Sequence, residues 1–356
     1  MKIEIQRLPA SKLKVKPSDP MKLPFGSVFT DYMLTMRYQN GAWLPPRIEP
    51  YGPLALDPAS MVFHYGQGIF EGLKAYRKGK EIFLFRARDN FNRLNASAKR
   101  MVMPEIDVTT AMESLKELLL LERDWVPEAK GSSLYIRPTM IATEPRLGVR
   151  PANEYLYYVI LSPVGPYFKE GFNPVGVLVS EKYVRSVRGG VGYAKTLVNY
   201  ATGLLGLKEA MDSGYPQVLW LDAIERKYIE ETATMNIFVR FKDEIATPPL
   251  SGTILPGITR ASVIELTRDW GYAVNERLIT IDELVAGLRT GKVIEVFGTG
   301  TAALIAPIGQ IAYGGAVHKV SGGTAGELSL RLFEHLAGLQ RGDTADKHGW
   351  MESIRW

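Results

Sequence analysis

Cysteine is absent from this 356-residue chain. Its absence excludes disulfides, thiolate zinc sites, cysteine-ligated iron–sulfur clusters and a cysteine nucleophile. Histidine is scarce. His64, His318, His335 and His348 are scattered, none pairs with another at ligand spacing, and a metal enzyme is not expected. Runs of five like charges are also missing. Lys and Arg number 43 against 38 Asp and Glu, so a net charge of +5 is spread thinly. The small clusters, Lys12-Leu13-Lys14-Val15-Lys16 and the trio Lys182, Arg185 and Arg188, are diluted by uncharged residues. They read as solvated faces, and no nucleic-acid partner is expected. The opening Met1-Lys2-Ile3-Glu4-Ile5-Gln6-Arg7 lacks the apolar stretch of a signal peptide. The uncharged run 296–317 is long enough to raise a membrane question. It contains Gly298, Gly300, Pro307, Gly309, Gln310, Gly314 and Gly315, and so reads as strand, turn and strand. No membrane contact and a cytoplasmic location are expected.

What remains is ordinary globular composition, 46% hydrophobic and 23% charged, at a length that suits two domains. Residues 27–38 form an expected strand. Residues 70–77 and 81–85 form an expected hairpin around Lys78-Gly79-Lys80. Helices are expected at 86–101, with Phe91, Leu94, Ala98 and Met101 on one face, and at 109–123, with Met112, Leu115, Leu118 and Leu119. Strands follow at 133–142 and 154–164. Three prolines and two glycines mark 163–174 as a connector. The expected division is a small N-terminal domain over 1–164, a linker over 165–174 and a large domain over 175–356. The second half reads as a strand at 175–184, a helix at 196–211 and a strand at 217–222. A broken strand at 228–240 follows, then helices at 259–270, 280–288 and 324–339, with a strand at 292–297. Without a steady βαβ rhythm, the fold class is α+β with mixed sheets.

Three turns could hold an anion on backbone N–H groups. Gly189-Gly190-Val191-Gly192-Tyr193-Ala194-Lys195-Thr196 nearly matches the P-loop, but Ala194 replaces a required glycine. A P-loop NTPase is kept as the alternative. Gly298-Thr299-Gly300-Thr301-Ala302-Ala303 satisfies G-x-G-x-x-A after a strand. No acid occurs over 306–326 to bind a ribose, so a dinucleotide site is set aside. Leu255-Pro256-Gly257-Ile258-Thr259-Arg260 opens a helix and, alone, is an ordinary turn and cap. Two anion turns with one lysine after flexible glycines suit a phosphate ester bearing an aldehyde, such as pyridoxal 5'-phosphate (PLP).

Five blocks in order extend this reading. They are Phe70-Glu71-Gly72-Leu73-Lys74-Ala75-Tyr76-Arg77, Leu134-Tyr135-Ile136-Arg137-Pro138, residues 189–200, residues 228–237 and residues 297–302. Together they resemble the branched-chain-amino-acid aminotransferases, PLP enzymes of fold type IV, from about residue 25 to about residue 339. Phe25-Gly26-Ser27-Val28-Phe29-Thr30-Asp31 is similar to the longer, eukaryote-like subgroup. The resemblance implies a small N-terminal α/β domain and a larger domain with a mixed, barrel-like sheet. It further implies reversible exchange of an amino group between Leu, Ile or Val and 2-oxoglutarate, by a homodimer with its active site near the subunit interface. A D-amino-acid transaminase or a lyase on the same fold, and a PLP-fold binding module, are the other readings.

By the same resemblance, Lys195 carries the cofactor and acts as the catalytic base. Glu231 faces the pyridine nitrogen. Its neighbour Glu230 is expected to be structural, on the opposite strand face by alternation. Arg93 is implied as a phosphate ligand from the small domain, with N–H groups of Ile258 and Thr259 and with Thr301. Tyr200 matches the tyrosine at the ring oxygen, and Thr234 a residue near the ring. Phe25, Tyr65, Phe70, Tyr135, Arg137 and Tyr167 match substrate positions, and Thr301 and Ala302 would take the α-carboxylate. Leu147 and Val149 match a loop reaching the neighbouring subunit's pocket. Some relatives carry Cys-x-x-Cys after the 298–301 turn. Ala303 and Ala306 stand there in this chain, which removes thiol control at that place.

Overall fold

β-Branched and aromatic residues crowd Tyr32–Gln39, Ser133–Ala142 and Tyr155–Val164, and these runs are neighbouring antiparallel strands. The computed structural model describes residues 3–23, 25–166 and 172–356. Within them the chain divides into two units. One takes residues up to 166 together with Ala194–Leu197 and Gly338–Trp356; the other takes residues 172–193 and Val198–Ala337.

The first unit is built on one sheet of ten strands. Its centre is the pair Ser133–Ala142 and Tyr155–Val164, in register from Ser133 opposite Val164 to Ala142 opposite Tyr155. The expected hairpin is Leu73–Lys78 with Glu81–Phe85, closed by Gly79 at φ +60°. Helices Ala87–Arg100 and Val108–Leu121 bury the apolar faces read from the sequence: Phe91, Leu94 and Ala98 on one, Met112, Leu115, Leu118 and Leu119 on the other. Truncating one such leucine to alanine costs about 2–5 kcal/mol. Asp107 caps the second helix by accepting the Thr110 N–H at 2.7 Å. The C-terminal strand Met351–Arg355 pairs with Glu81–Phe85. Only Ile354 of that strand is buried, so no alternation announced it.

In the second unit six strands close on themselves. The ring runs Ile229–Thr232, Gln217–Leu221, Val175–Ser180, Leu304–Tyr313, Val293–Gly300 and Met235–Phe241, and returns to Ile229–Thr232. Val175–Ser180 pairs in parallel with both its neighbours, and the other pairs are antiparallel, so the sheet is mixed. Closure leaves no free edge in this ring. Val177, Leu219, Ile237, Val239, Val296 and Ile308 belong to one buried cluster. The uncharged run 296–317 resolves into the hairpin Val293–Gly300 and Leu304–Tyr313, with Ala316–Lys319 beyond it. Among the described residues no helix is long and apolar enough to cross a membrane.

The helix expected over 196–211 is two, Leu197–Thr202 and Leu204–Asp212, parted at Gly203. The second lies on Trp220. A Cβ at Gly206 would stand 2.7 Å from that ring, so only glycine allows the approach. Thr280 caps Ile281–Thr290 by accepting the Glu283 N–H at 2.9 Å, as the capping spacing required.

Candidate active site

Lys195 sits at the centre of a three-residue turn, in which Thr196 N–H donates to the Ala194 carbonyl at 3.1 Å. Its own backbone is held on both sides. Lys195 N–H donates to Ser97 Oγ at 2.9 Å, and its carbonyl accepts Phe70 N–H at 3.1 Å. The side chain is positioned differently, with Nζ 4.8 Å from the centre of the Phe70 ring. The Arg137 guanidinium lies 4.7 Å from the same ring and donates to Tyr135 Oη at 2.9 Å. Phe25 meets the Tyr135 ring edge-on at 4.8 Å. Lys195, Phe70, Arg137, Tyr135 and Phe25 therefore form one run of contacts in the first unit. Tyr65 donates to the Leu147 carbonyl on the 144–149 loop. Leu147 and Val149 on that loop are 66% and 84% exposed. Tyr167 lies outside the described residues.

Arg93 is a buried helix residue, not the solvated charge that its amphipathic helix alone would suggest. It makes a two-pronged pair with Glu71, Nε to Oε1 at 2.7 Å and Nη2 to Oε2 at 2.9 Å. Glu71 is fully buried. The pair is matched in charge and geometry, which burial demands of two ions.

Glu231, in the second unit, is anchored by its head group. Its carboxylate pairs with Arg185 and accepts from Asn236 Nδ2 at 2.8 Å. Asn236 also donates to the Leu255 carbonyl at 2.9 Å. Gly257 packs so closely on Asn236 that any Cβ there would collide with its amide. Gly257 is the N-cap of Ile258–Asp269 and supplies no side-chain cap bond. Ile258 and Thr259 thus open the helix whose N-cap packs on Asn236, the residue that also holds Glu231. Thr234 is in the two-residue turn between Ile229–Thr232 and Met235–Phe241, beside Ala233 at φ 44°. Glu231, Thr234, Tyr200, Asn199 and Arg185 line one cavity, with Trp220 in its wall. Thr301 and Ala302 form the turn joining Val293–Gly300 to Leu304–Tyr313, and Thr299 of that first strand is opposite Asn236.

One reading of charge changes here. Arg185 is not part of a solvated face. Its side chain is 11% exposed, against 70% for Lys182, because it turns inward to Glu231 and to the Thr253 carbonyl. Glu230 and Glu231 line different cavities, in keeping with alternation along the strand. Leu219 is opposite Thr232 while Leu221 is opposite Ile229, an irregularity that leaves an extra residue on the glutamate strand. Glu230 accepts from Thr253 Oγ1 at 2.6 Å, so both acids reach the Arg185–Thr253 neighbourhood. Burial raises the Glu230 carboxyl above the ordinary carboxylate range.

Glu71, Ser97, Arg185 and Asn236 are the contributors that the sequence reading passed over. Glu71 and Asn236 lie inside blocks already singled out, yet nothing in one sequence marks which member of a block carries a partner. Arg185 and Ser97 gave no local signal, since their contacts are distant in the chain.

The chain matches the family of class IV amino-transferases over residues 68–311. It is 50% identical over 353 residues to the branched-chain-amino-acid transaminase 1 of Bacillus subtilis, covering 98% of this chain and 99% of that one. Branched-chain-amino-acid aminotransferase 2 of the same organism is 49% identical over 346 residues, 97% of this chain and 95% of the relative. Among solved structures, the Escherichia coli branched-chain amino acid aminotransferase superposes with a TM-score of 0.74 at 28% identity, covering 90% of this chain and 98% of that chain. A T.th. branched-chain amino acid aminotransferase with pyridoxamine 5'-phosphate gives 0.74 at 29%, covering 89% and 97%. Identity near one half over almost the whole length, on the same mixed fold, makes this chain a class IV aminotransferase of the branched-chain-amino-acid aminotransferase family.

Proposed function

We propose that the enzyme reversibly transfers the amino group of leucine, isoleucine or valine to 2-oxoglutarate, giving branched-chain 2-oxo acids and glutamate. The observation that carries this is the near-full-length identity to branched-chain enzymes, in a chain that carries Lys195 and a Glu231 seated on Arg185. The family depends on PLP, and this donor set suits it: a lysine amine, a carboxylate paired with Arg185 at a cavity wall, and a helix start without a side-chain cap. When bound, PLP supplies the aldehyde that takes up the amino group and the ring that accepts electrons, alternating with pyridoxamine phosphate in a ping-pong cycle.

The residues then take these roles. Lys195 holds the cofactor and moves the proton at the substrate Cα. Glu231 keeps a proton on the ring nitrogen, and Tyr200 orients the ring oxygen, with Thr234 beside the ring. Arg93, the N–H groups of Ile258 and Thr259, and Thr301 bind the phosphate. Phe25, Tyr65, Phe70, Tyr135, Arg137 and Tyr167 bind substrate. An apolar wall accepts an aliphatic side chain, and its arginine and tyrosines accept the distal carboxylate of glutamate. Thr301 and Ala302 take the α-carboxylate. Leu147 and Val149, exposed on their loop, serve the partner's pocket in a cytoplasmic homodimer.

An amino-donor panel with 2-oxoglutarate tests the reaction. Glutamate should form with L-leucine, L-isoleucine and L-valine, and the yellow holoenzyme should bleach when an amino acid is added. Preference for a D-amino acid, or magnesium-dependent nucleotide binding by a protein that stays colourless with PLP, would contradict it. Sedimentation should give a dimer.

A further inference from the structure

Five links form a closed circuit in the first unit. The Glu71 carboxylate holds the Arg93 guanidinium. The Arg93 carbonyl, one helical turn before Ser97, accepts from Ser97 Oγ at 3.0 Å. Ser97 Oγ accepts Lys195 N–H at 2.9 Å. The Lys195 carbonyl accepts Phe70 N–H at 3.1 Å. Phe70 is covalently joined to Glu71, which closes the loop.

Ser97 is the junction. Its hydroxyl has one proton, given to the Arg93 carbonyl, and lone pairs, one of which meets Lys195 N–H. The residue is 1% exposed, so water has little access to replace either bond. Alanine would suit a buried helix position better by propensity, and a serine bonding back to its own helix slightly weakens it. The hydroxyl's gain is therefore the bond to Lys195, 98 residues away.

We propose that Ser97 is a positioning residue that couples Lys195 to Arg93, so that the amine and the phosphate-binding guanidinium are set by one helix turn. This rests on the reading of Lys195 as the cofactor-binding lysine. Ser97 acts through the lysine backbone, which its hydroxyl holds. Loss of the hydroxyl removes the acceptor of the Lys195 N–H, at the residue whose amine must be aimed.

The test is Ser97→Ala, purified with and without PLP. The expected result is an apoprotein that still unfolds cooperatively, with cofactor affinity weakened about tenfold, the scale of one lost buried hydrogen bond. The pH midpoint of the holoenzyme's visible band should move from the wild-type value, and kcat should fall more than KM. A merely structural serine would lower the unfolding temperature and leave the band midpoint and the kcat-to-KM balance in place; that result overturns the proposal. If Ser97→Ala does not fold, Ser97→Cys keeps the volume with a weaker acceptor. It should shift the same readouts in the same direction, and wild-type values there would overturn the proposal as well. Lys195→Ala separates this from the underlying reading. A variant without Lys195 that keeps the visible band refutes the reading itself. Loss of the band there, with Ser97→Ala unchanged, refutes only the role of Ser97.

Discussion

Each of the two units holds one of the two side chains given the central proposed roles, and the recorded contacts fall on different parts of each. Lys195 is fixed through its backbone, by Ser97 and Phe70, while its amine lies over an aromatic ring. Glu231 is fixed through its carboxylate, by Arg185 and Asn236. The contrast follows from the work proposed for each. A base that must leave one carbon and reach another needs a steady root and a mobile tip. An acid that must only stay opposite a protonated nitrogen needs an immobile head.

The largest effect should come from removing the Lys195 amine. Lys195→Ala should lower kcat with leucine by roughly 10⁴-fold, the upper range for one acid–base group, with no visible band. Steady-state assays and absorbance spectra check this. Next, Glu71→Ala should leave the Arg93 guanidinium buried without its carboxylate and cost about 3–5 kcal/mol of stability. Chemical denaturation measures it. Loss of less than about 1 kcal/mol would show that Arg93 finds other partners, and would break the idea that the first unit fixes its arginine rigidly. Glu231→Gln keeps the shape but not the charge. It should reduce kcat by roughly 10²-fold while KM changes little, since the lost interaction matters when charge develops on the ring. If KM alone changed, Glu231 would be a binding residue and the contrast with Lys195 would fail.

The smallest effect sharpens the comparison with an acid outside both arrangements. Glu122 is buried, accepts the Tyr32 N–H and faces Asp31. Burial pushes its carboxyl up to about 7, from an ordinary 4.5. The folded state thus favours the protonated form. Stability from this group is fully present below the unfolded value and declines as pH rises through about 7. Between about pH 5 and about pH 8 the decline should be about 2 kcal/mol. Urea denaturation across that range should show a shallower slope in Glu122→Gln.

Much of this was legible from residues alone. Period and caps placed the helices at Phe91–Leu94–Ala98 and Thr280–Glu283, because local chemistry decides them. Gly298, Pro307 and Gly314 identified a hairpin where hydropathy alone suggested a span. Other features depend on contacts that sequence does not display. The strand of Glu230 and Glu231 carries one residue more than its partner between paired positions, an irregularity that no local pattern announces. Gly203 splits a helix that the apolar period carried through, and Trp220, far along the chain, is what the second piece packs on. Arg185 looked like its exposed neighbours because nothing within a few residues reveals a carboxylate 46 positions on. Family resemblance named Lys195 and Glu231. The structure adds the means by which each is held.

The most direct test of the central claim is to reduce the PLP-bound protein with borohydride and map the pyridoxyl label by peptide mass spectrometry. Lys74 is the informative competitor. Burial lowers its ammonium to about 8, and it is opposite Tyr135 in the sheet, so it too could present a neutral amine. The account predicts the label on Lys195, and its disappearance when L-leucine is added before the reductant. A label on Lys74 or any other lysine, insensitive to leucine, would contradict it.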